Sequence, residues 1–272
     1  MSFLRRRAAL LIFLLQLLLL GAAWLGFYGG RQLECNHYTL DTPALRAAGP
    51  LRIAFLADVH NNPRHLFRAV EMIEEQKPDL IIFGGDLITS YERFMRTRWA
   101  VNAFRRLGAV APVYAVLGNQ DYEKQEQVER VLNTAGVTLL RNAAIDWRCP
   151  NGNTLRLVGL GDWNEGDEAP QRCMQPAGQE PSAAPVLLLS HDPESRWLLR
   201  RYAWDAMLAG HTHGGQLGIP FAHRYLSFRS SMPAGMFDFE GGRKVFVTRG
   251  VGAIFNMRFF CPPEVAIIDI GR

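Results

Sequence analysis

Short apolar runs alternate with amphipathic stretches along most of this chain, beginning near residue 51. Each run is five or six residues long and rich in Ile, Leu and Val, as buried strands are. The runs are too short for buried helices, which need ten or more residues. We predict strands at residues 52–57, 79–84, 113–118, 155–160, 186–190, 205–210, 244–248 and 264–269.

The stretches between these runs carry apolar residues at helical spacing. Pro78 and Gly136 follow two of them, at positions where helices end. Strands that alternate with helices are typical of an α/β fold. There is no internal repeat, and the Pro- and Gly-rich stretch at 164–185 is expected to be a loop. The predicted helices cover residues 64–77, 92–107, 122–135 and 193–202.

The N-terminal segment differs from the rest of the chain, since residues 8–30 contain no charged side chain. As a helix this segment would be about 34 Å long at about 1.5 Å per residue, enough to cross a bilayer core. We predict a membrane anchor over residues 1–30, a stalk over 31–50 and a catalytic domain over 51–272. The alternative is a cleaved signal segment, with a weak small-residue cleavage site at 21–23.

Charge along the chain bears on topology and on partners. Arg5, Arg6 and Arg7 precede the apolar segment, and positive residues stay on the cytoplasmic side. We therefore expect a single-pass protein of the inner membrane, with its catalytic domain on the periplasmic or external side.

Without residues 1–30 the chain has 27 basic and 26 acidic residues, and it has no basic stripe interleaved with aromatics. Nucleic acid is accordingly not expected as a partner.

The four cysteines match no zinc-binding pattern and are too few for a disulfide scaffold. Ordinary scattered thiols are the simplest interpretation. If two of them pair outside the cytoplasm, Cys149 and Cys173 are the expected pair, because both lie in loop-like sequence.

Polar side chains follow five of the predicted strands at their C-terminal ends. Open α/β sheets bind ligands beyond the carboxyl ends of their strands, so these side chains are expected to converge on one edge. Four of the seven histidines in the chain belong to this set, whereas a core histidine is usually solitary. The residues are Asp58, His60, Asp86, Asn119, His191, His211 and His213.

The spacing and chemistry of this set indicate metal binding. In an extended chain, Asp58 and His60 point to one side, as do His211 and His213. Carboxylates combined with neutral imidazoles suit Mn, Fe, Zn or Ni better than Mg or Ca. Seven ligands exceed what one ion needs, so the set predicts two divalent ions of the kind that promote phosphoryl displacement.

The order of these motifs resembles the calcineurin-like metallophosphoesterase superfamily. The chain carries D-x-H, G-D, G-N-x-[DE], H and G-H-x-H, in that order, within residues 51–213. "GHTHGGQ" (210–216), "TRGVG" (248–252) and "CPPEV" (261–265) are similar to a membrane-associated bacterial branch of YaeI/YkuE-type phosphodiesterases, related to UDP-2,3-diacylglucosamine pyrophosphatase. The resemblance implies two packed β-sheets flanked by helices.

The resemblance also implies a division of the ligands between two metals. The first metal would be held by Asp58, His60, Asp86 and His213. The second would be held by Asp86, Asn119, His191 and His211. Asp86 would bridge the two, together with a water or hydroxide that attacks phosphorus. Mn²⁺ is the expected metal, with Fe, Zn or Ni as alternatives, and the expected substrate is a phosphodiester or pyrophosphate, including lipid-linked or envelope compounds.

Gln120 departs from the resemblance, because the family has a histidine after the motif asparagine. That histidine assists the leaving group, and glutamine can donate a hydrogen bond but not a proton. A general acid matters most when the leaving group is a poor one, such as an alkoxide. Gln120 therefore favours a pyrophosphate or an activated diester as substrate.

Two other functions compete with a general phosphodiesterase. One is the UDP-2,3-diacylglucosamine pyrophosphatase of lipid A synthesis, which conflicts with the external domain that Arg5–Arg7 predict. The other is a catalytically weak metal-binding membrane module, which retention of all seven ligand residues argues against. Arg64 is interpreted as a solvated helix-start residue or a phosphate contact, and Asp121 as a helix-cap carboxylate. His37, His65 and His223 are interpreted as structural or surface residues.

Overall fold

Two six-stranded β-sheets form the body of the protein in a computed structural model, which describes residues 2–89, 97–178, 184–216, 231–253 and 258–271. The first sheet has the order β1-β12-β2-β3-β4-β5, with β12 antiparallel to β2 and the other pairs parallel. Its strands are β1 Glu34–Thr39, β2 Leu51–Leu56, β3 Leu80–Phe83, β4 Val113–Ala115, β5 Thr138–Leu139 and β12 Glu264–Ile270.

The second sheet has the order β10-β11-β9-β8-β7-β6. Its central pairs β7–β8, β8–β9 and β9–β11 are parallel, and both outer pairs are antiparallel. Its strands are β6 Ala143–Arg148, β7 Thr154–Gly159, β8 Val186–Leu189, β9 Ala206–Ala209, β10 Gly235–Phe239 and β11 Arg243–Val247. The helices are α1 Ser2–Gly29, α2 Pro63–Gln76, α3 Arg98–Val110, α4 Gln125–Ala135 and α5 Arg196–Leu199.

The side-chain alternation of each strand fills three apolar layers. In β2, Ile53 and Phe55 pack between the two sheets, whereas Ala54 and Leu56 face the layer that α2, α3 and α4 cover. A third cluster lies on the outer face of the second sheet with α5. Because the central strands are covered on both faces, each contains a run of buried apolar residues, and these runs predict the strands from sequence. The predicted α/β fold of two packed sheets flanked by helices is confirmed.

All eight predicted strands are present, and the four strands that the sequence did not predict are the four sheet edges. Within the described parts of the chain, β1, β5, β6 and β10 each pair on one side only, and apart from Ile145 their exposed positions hold polar residues, as in "ECNHYT". An edge strand has a neighbouring strand on one side only and is partly exposed to solvent, so it lacks the continuous apolar run of a central strand.

The N-terminal boundary of the domain needs a correction. Residues 31–50 were expected to be a stalk, but β1 lies in this range and pairs with β12. Leu40 and Leu45, which follow it, are completely buried between the sheets. Residues 34–50 are therefore part of the folded domain.

Two helix predictions also change in extent. The helix predicted at 92–107 is observed as α3, Arg98–Val110, and residues 92–96 lie outside the described residues. The helix predicted at 193–202 consists of a 3-10 turn, Pro193–Ser195, followed by the single turn α5.

No disulfide forms among the described cysteines, and all four are free thiols. Cys149 packs between the two sheets, whereas Cys173 packs on the outer face of the second sheet. Because the sheet separates the two residues, the suggested Cys149–Cys173 pair is wrong.

The apolar helix α1 projects from the domain. Residues Arg7–Gly29 are long and apolar enough to cross a membrane, and the most apolar part has no buried residue. Its last turn contacts the loop before β12: Arg258 N donates to Gly26 O at 2.8 Å. A Cβ atom on Gly26 would lie 2.3 Å from the Phe259 ring, so glycine permits this close approach.

Asp121 joins the loops that follow β3 and β4. It lies in a 3-10 turn, Asn119–Lys124, and its side chain is completely buried. One carboxylate oxygen accepts hydrogen bonds from the N–H groups of Asp86 at 2.8 Å and Gly118 at 3.0 Å. The other accepts from the N–H groups of Leu87 at 2.9 Å and Ile88 at 3.3 Å. The expected role at the helix start is thus extended, because this carboxylate also positions the backbone of Asp86.

We predict that Asp121→Asn destabilises the protein by about 2–3 kcal/mol, because an amide nitrogen would face backbone N–H donors that now have an acceptor. The measurement is the free energy of unfolding in denaturant. Asp146→Asn is the matched control: its carboxylate is exposed and pairs with Arg156, so a change of about 1 kcal/mol or less is expected. Equal stability of the two variants would contradict the role given to Asp121.

Candidate metal centre

The seven predicted residues come together where the C-terminal ends of β2, β3, β4, β8 and β9 meet. The loop after β2 is bonded to the loop after β3: Asp58 N donates to Gly85 O at 2.9 Å, and His60 N donates to Asp86 O at 3.1 Å. The loop after β9 joins them, because His211 N donates to the Asp58 carboxylate at 3.1 Å. The arrangement unites both sheets at one edge.

Five of the seven residues have left-handed backbone conformations, with φ between 48° and 68°. Such conformations cost a non-glycine residue roughly 1–3 kcal/mol each and persist where the surroundings enforce them. These backbone conformations turn the side chains of short loops towards a common centre. The five are Asp58, His60, Asp86, His211 and His213.

Asp58, His60 and His213 form the first cluster. The Nε2 atoms of His60 and His213 are 3.0 Å apart, and His213 Nε2 is 3.6 Å from Asp58 Oδ1. All three side chains are buried, and ligand atoms from all three lie within 4.8 Å of one another. Thr89 Oγ1 contacts the other nitrogen of His60 at 3.2 Å.

Asp58, Asp86 and His191 form the second cluster, again within 4.8 Å. His191 Nδ1 donates to Gly84 O at 2.7 Å, which orients the ring so that Nε2 faces the carboxylates. That Nε2 atom lies 3.3 Å from Asp86 Oδ2. Asp86 Oδ2 is also 3.6 Å from His60 Nε2, so Asp86 lies between the two clusters.

Asn119 and His211 complete the set on one side of the second cluster. His211 Nδ1 and Asn119 Oδ1 are 3.0 Å apart, and the His211 ring lies edge-on to the His191 ring at a centroid distance of 5.2 Å. Asp192 Oδ2 is 3.6 Å from His211 Nε2 on the other side of the ring. Sequence reasoning had not selected Asp192.

Gln120 contacts the centre through its backbone. Its N–H donates to Asp86 Oδ1 at 2.9 Å. A Cβ atom on Gly118 would lie 2.2 Å from that same oxygen. Glycine at this position therefore allows the backbone of residues 118–120 to lie close to the Asp86 carboxylate.

The electrostatics of the centre favour a cation. Burial and the like charge of Asp86 raise the pKa of Asp58 to about 7. Burial would also raise the pKa of Asp86, but His191 and His60 outweigh that effect and lower its pKa to about 2. Burial lowers the pKa of both His60 and His213, so both rings are neutral at pH 7, as metal ligands must be.

The donor set fits divalent metal ions. His191 Nε2 and His213 Nδ1 are buried without a hydrogen-bond partner, and two histidine Nε2 atoms face each other. Buried polar atoms are normally satisfied, so histidine Nε2 atoms that face one another and two buried carboxylates match a site that is completed by a cation.

Arg258 is a second feature that sequence reasoning missed. Its side chain is completely buried and donates to His213 O at 3.1 Å and to Arg249 O at 2.6 Å. It also hydrogen-bonds Gly252 O. Arg258 thereby holds the loop of His213 against the loop before β12. A lone arginine in the apolar stretch "AIFNMRFF" was the available sequence signal.

Comparison with known proteins places the chain in a family. The calcineurin-like phosphoesterase family matches residues 51–215. The chain is 37% identical over 240 residues to Phosphodiesterase YaeI of Escherichia coli (strain K12), covering 82% of this chain and 83% of the relative. It is 27% identical over 203 residues to the uncharacterized metallophosphoesterase YkuE of Bacillus subtilis (strain 168), covering 73% and 70%.

A third relative carries a more specific name. The chain is 24% identical over 276 residues to UDP-2,3-diacylglucosamine pyrophosphatase LpxG of Chlamydia muridarum (strain MoPn / Nigg), covering 80% of this chain and 83% of the relative. The family match agrees with the clustered carboxylates and imidazoles of the site. The chain belongs to the calcineurin-like phosphoesterase family and is a hydrolase of phosphoric ester or anhydride bonds.

Proposed function

We propose that the seven clustered residues hold two divalent metal ions and that the protein hydrolyses a phosphodiester or pyrophosphate bond. The observation that carries this proposal is a pair of adjoining three-residue clusters that share Asp58, with Asp86 of the second cluster 3.6 Å from His60 of the first. One cluster alone would suit a single ion, whereas two adjoining clusters suit a two-metal phosphoesterase.

The distances support the ligand sets that the family resemblance implies. The first ion would be held by Asp58, His60, Asp86 and His213, and the second by Asp86, Asn119, His191 and His211. Asp86 is suited to bridge the sets, because its Oδ2 atom lies near both His60 and His191. The mixed oxygen and nitrogen donors favour Mn²⁺, with Fe, Zn or Ni as alternatives.

Bound metals would supply a hydroxide nucleophile at neutral pH and offset charge on the phosphoryl oxygens. The protein's own contribution is to fix the donors. The hydrogen bond to Gly84 O orients the ring of His191, and the N–H of Gln120 orients the Asp86 carboxylate. Such hydrogen bonds behind metal ligands hold them in place before the metal arrives.

The apolar helix supports a membrane-bound form of the enzyme. Its most apolar part has no buried residue, so in water it would expose a continuous apolar surface. An uncleaved anchor removes that surface from water, and the contact between Gly26 and Arg258 attaches the helix end to the domain. A lipid-linked or envelope phosphoester is the substrate class that fits this placement.

A second candidate function is hydrolysis of the pyrophosphate bond in UDP-2,3-diacylglucosamine. The similarity to LpxG and the glutamine at position 120 favour it, because a nucleoside monophosphate leaves without a general acid. A catalytically weak binding module is disfavoured, because all seven ligand residues are retained and gathered at one place.

We predict that the purified full chain binds about two metal ions and loses activity on p-nitrophenyl diesters in chelator, with recovery in Mn²⁺. Asp86→Asn should lower kcat/KM by more than about 10²-fold, since even residues that only support metal ligands contribute about 10–100-fold. Metal content and turnover are measured on the same samples, with Asp146→Asn as control. An Asp86→Asn protein with unchanged metal content and turnover would contradict the proposal.

Replacing Gln120 with histidine tests the leaving-group argument. Gln120→His should raise kcat/KM on dialkyl diesters by about tenfold or more, as part of the 10²–10⁴-fold that a general acid contributes. A smaller effect is expected with p-nitrophenolate as leaving group, because that anion needs no proton. Gln120→Asn retains an amide and is the matched control. The argument fails if the histidine variant changes no rate across leaving groups of different pKa.

The side of the membrane on which the catalytic domain lies distinguishes the two candidate functions. Arg5–Arg7 predict an external catalytic domain, so an alkaline phosphatase fused to the C-terminus should be active and a fluorescent protein dark. UDP-linked lipids are expected on the cytoplasmic face. Fluorescence of the fluorescent-protein fusion, together with an inactive phosphatase fusion, would therefore support the pyrophosphatase function. Hydrolysis of UDP-2,3-diacylglucosamine by the purified protein would then test that function directly.

A further inference from the structure

A basic cavity lies where α1 meets the catalytic domain. Two adjoining spaces of about 170 and about 550 Å³ share Arg31, Arg64 and His65 in their walls. Phe27 lines the smaller space and Phe67 the larger. The larger one is of the size that small-molecule sites have. The cavity is therefore large enough for a polar headgroup.

The charge of the cavity comes from two arginines. Arg68 and Glu71 also line the larger space, but they pair with each other at 2.8 Å, and among the described residues no carboxylate forms an ion pair with Arg31 or Arg64. The Arg31 guanidinium lies over the Phe27 ring at 3.9 Å, which holds it at the end of α1. Two cations without acidic partners in a cavity suit the oxygens of a phosphate group.

The cavity lies at the level where lipid headgroups would be. Exposed aromatic side chains surround this end of α1, and such residues collect at the boundary between membrane and water. Arg31 follows two residues after the last residue of α1, just beyond that boundary. The exposed aromatic residues are Trp24, Phe27, Tyr28 and Phe260.

The wall of the cavity is connected to the metal centre through one loop and its hydrogen bonds. Asn62 lines it and is two residues after His60, and its side chain accepts from His65 N at the start of α2. His65 Nδ1 donates to Val251 O at 2.8 Å, next to Gly252, whose N–H donates to Asp58 O at 2.7 Å. One short loop therefore carries both a metal-ligand pair and the wall of the cavity.

We propose that Arg31 and Arg64 bind the phosphate of an anionic membrane lipid and present such lipids to the metal centre. This inference rests on the proposed function and narrows its substrates to phosphate esters that are embedded in the bilayer. The membrane helix then does more than retain the enzyme: its end supplies Arg31 and Phe27 to the binding site.

Lipid binding by the full chain tests the proposal without turnover. The protein is kept in detergent with a chelator and titrated with phosphatidylglycerol or phosphatidylcholine, and bound lipid is measured by native mass spectrometry. We expect phosphatidylglycerol to bind more tightly, and the double variant R31A/R64A to weaken its binding by about tenfold or more. R105A/R130A removes two exposed arginines from α3 and α4 and should leave binding unchanged.

Two results would overturn the proposal. One is equal phosphatidylglycerol affinity in R31A/R64A and the unmodified protein, with Arg64→Glu also without effect. The other is equally tight binding of glycerophosphoglycerol, the water-soluble headgroup, which would make the cavity a site for free phosphate esters. Metal-dependent hydrolysis of bis-p-nitrophenyl phosphate by the unmodified protein is measured separately, so failure of the proposed function is distinguished from failure of the lipid site.

Discussion

Two buried carboxylates, Asp58 and Asp86, constrain the whole centre. Both side chains are almost completely removed from water at the edge where the two sheets meet. Like charges at this depth are unfavourable unless a cation or a proton offsets them. The surrounding histidines, the left-handed loop residues and the close glycine contacts bring imidazole nitrogens next to the two carboxylates. We propose that metal ions supply the positive charge that offsets these carboxylates.

Residues without a chemical role in the centre keep this arrangement in place. Asp121 satisfies backbone N–H groups of the Asp86 loop, and Arg258 satisfies backbone carbonyls around His213. Each side chain is completely buried and hydrogen-bonds several backbone groups of loops. Loops have no ladder of their own to satisfy these groups, so buried side chains take that role.

Arg258 also connects the apolar helix α1 to the candidate metal centre. Its backbone N–H bonds the end of α1, and its guanidinium bonds the loop that carries His213. A single residue therefore lies between the membrane-spanning candidate and the metal centre. This contact places the end of α1, and with it Arg31, on the side of the domain that carries the His213 loop.

The sequence by itself determined the central strands and the residues at their ends. A strand that is buried on both faces carries a run of apolar residues, and a polar residue directly after that run stands out in the sequence. Only the tertiary structure decided the edge strands, the place of residues 34–50 in the domain and the roles of Asp121 and Arg258. Those features depend on partners far away in the chain: β1 pairs with β12, and Arg258 bonds His213. Local patterns report burial, but they do not report which distant groups complete a hydrogen bond.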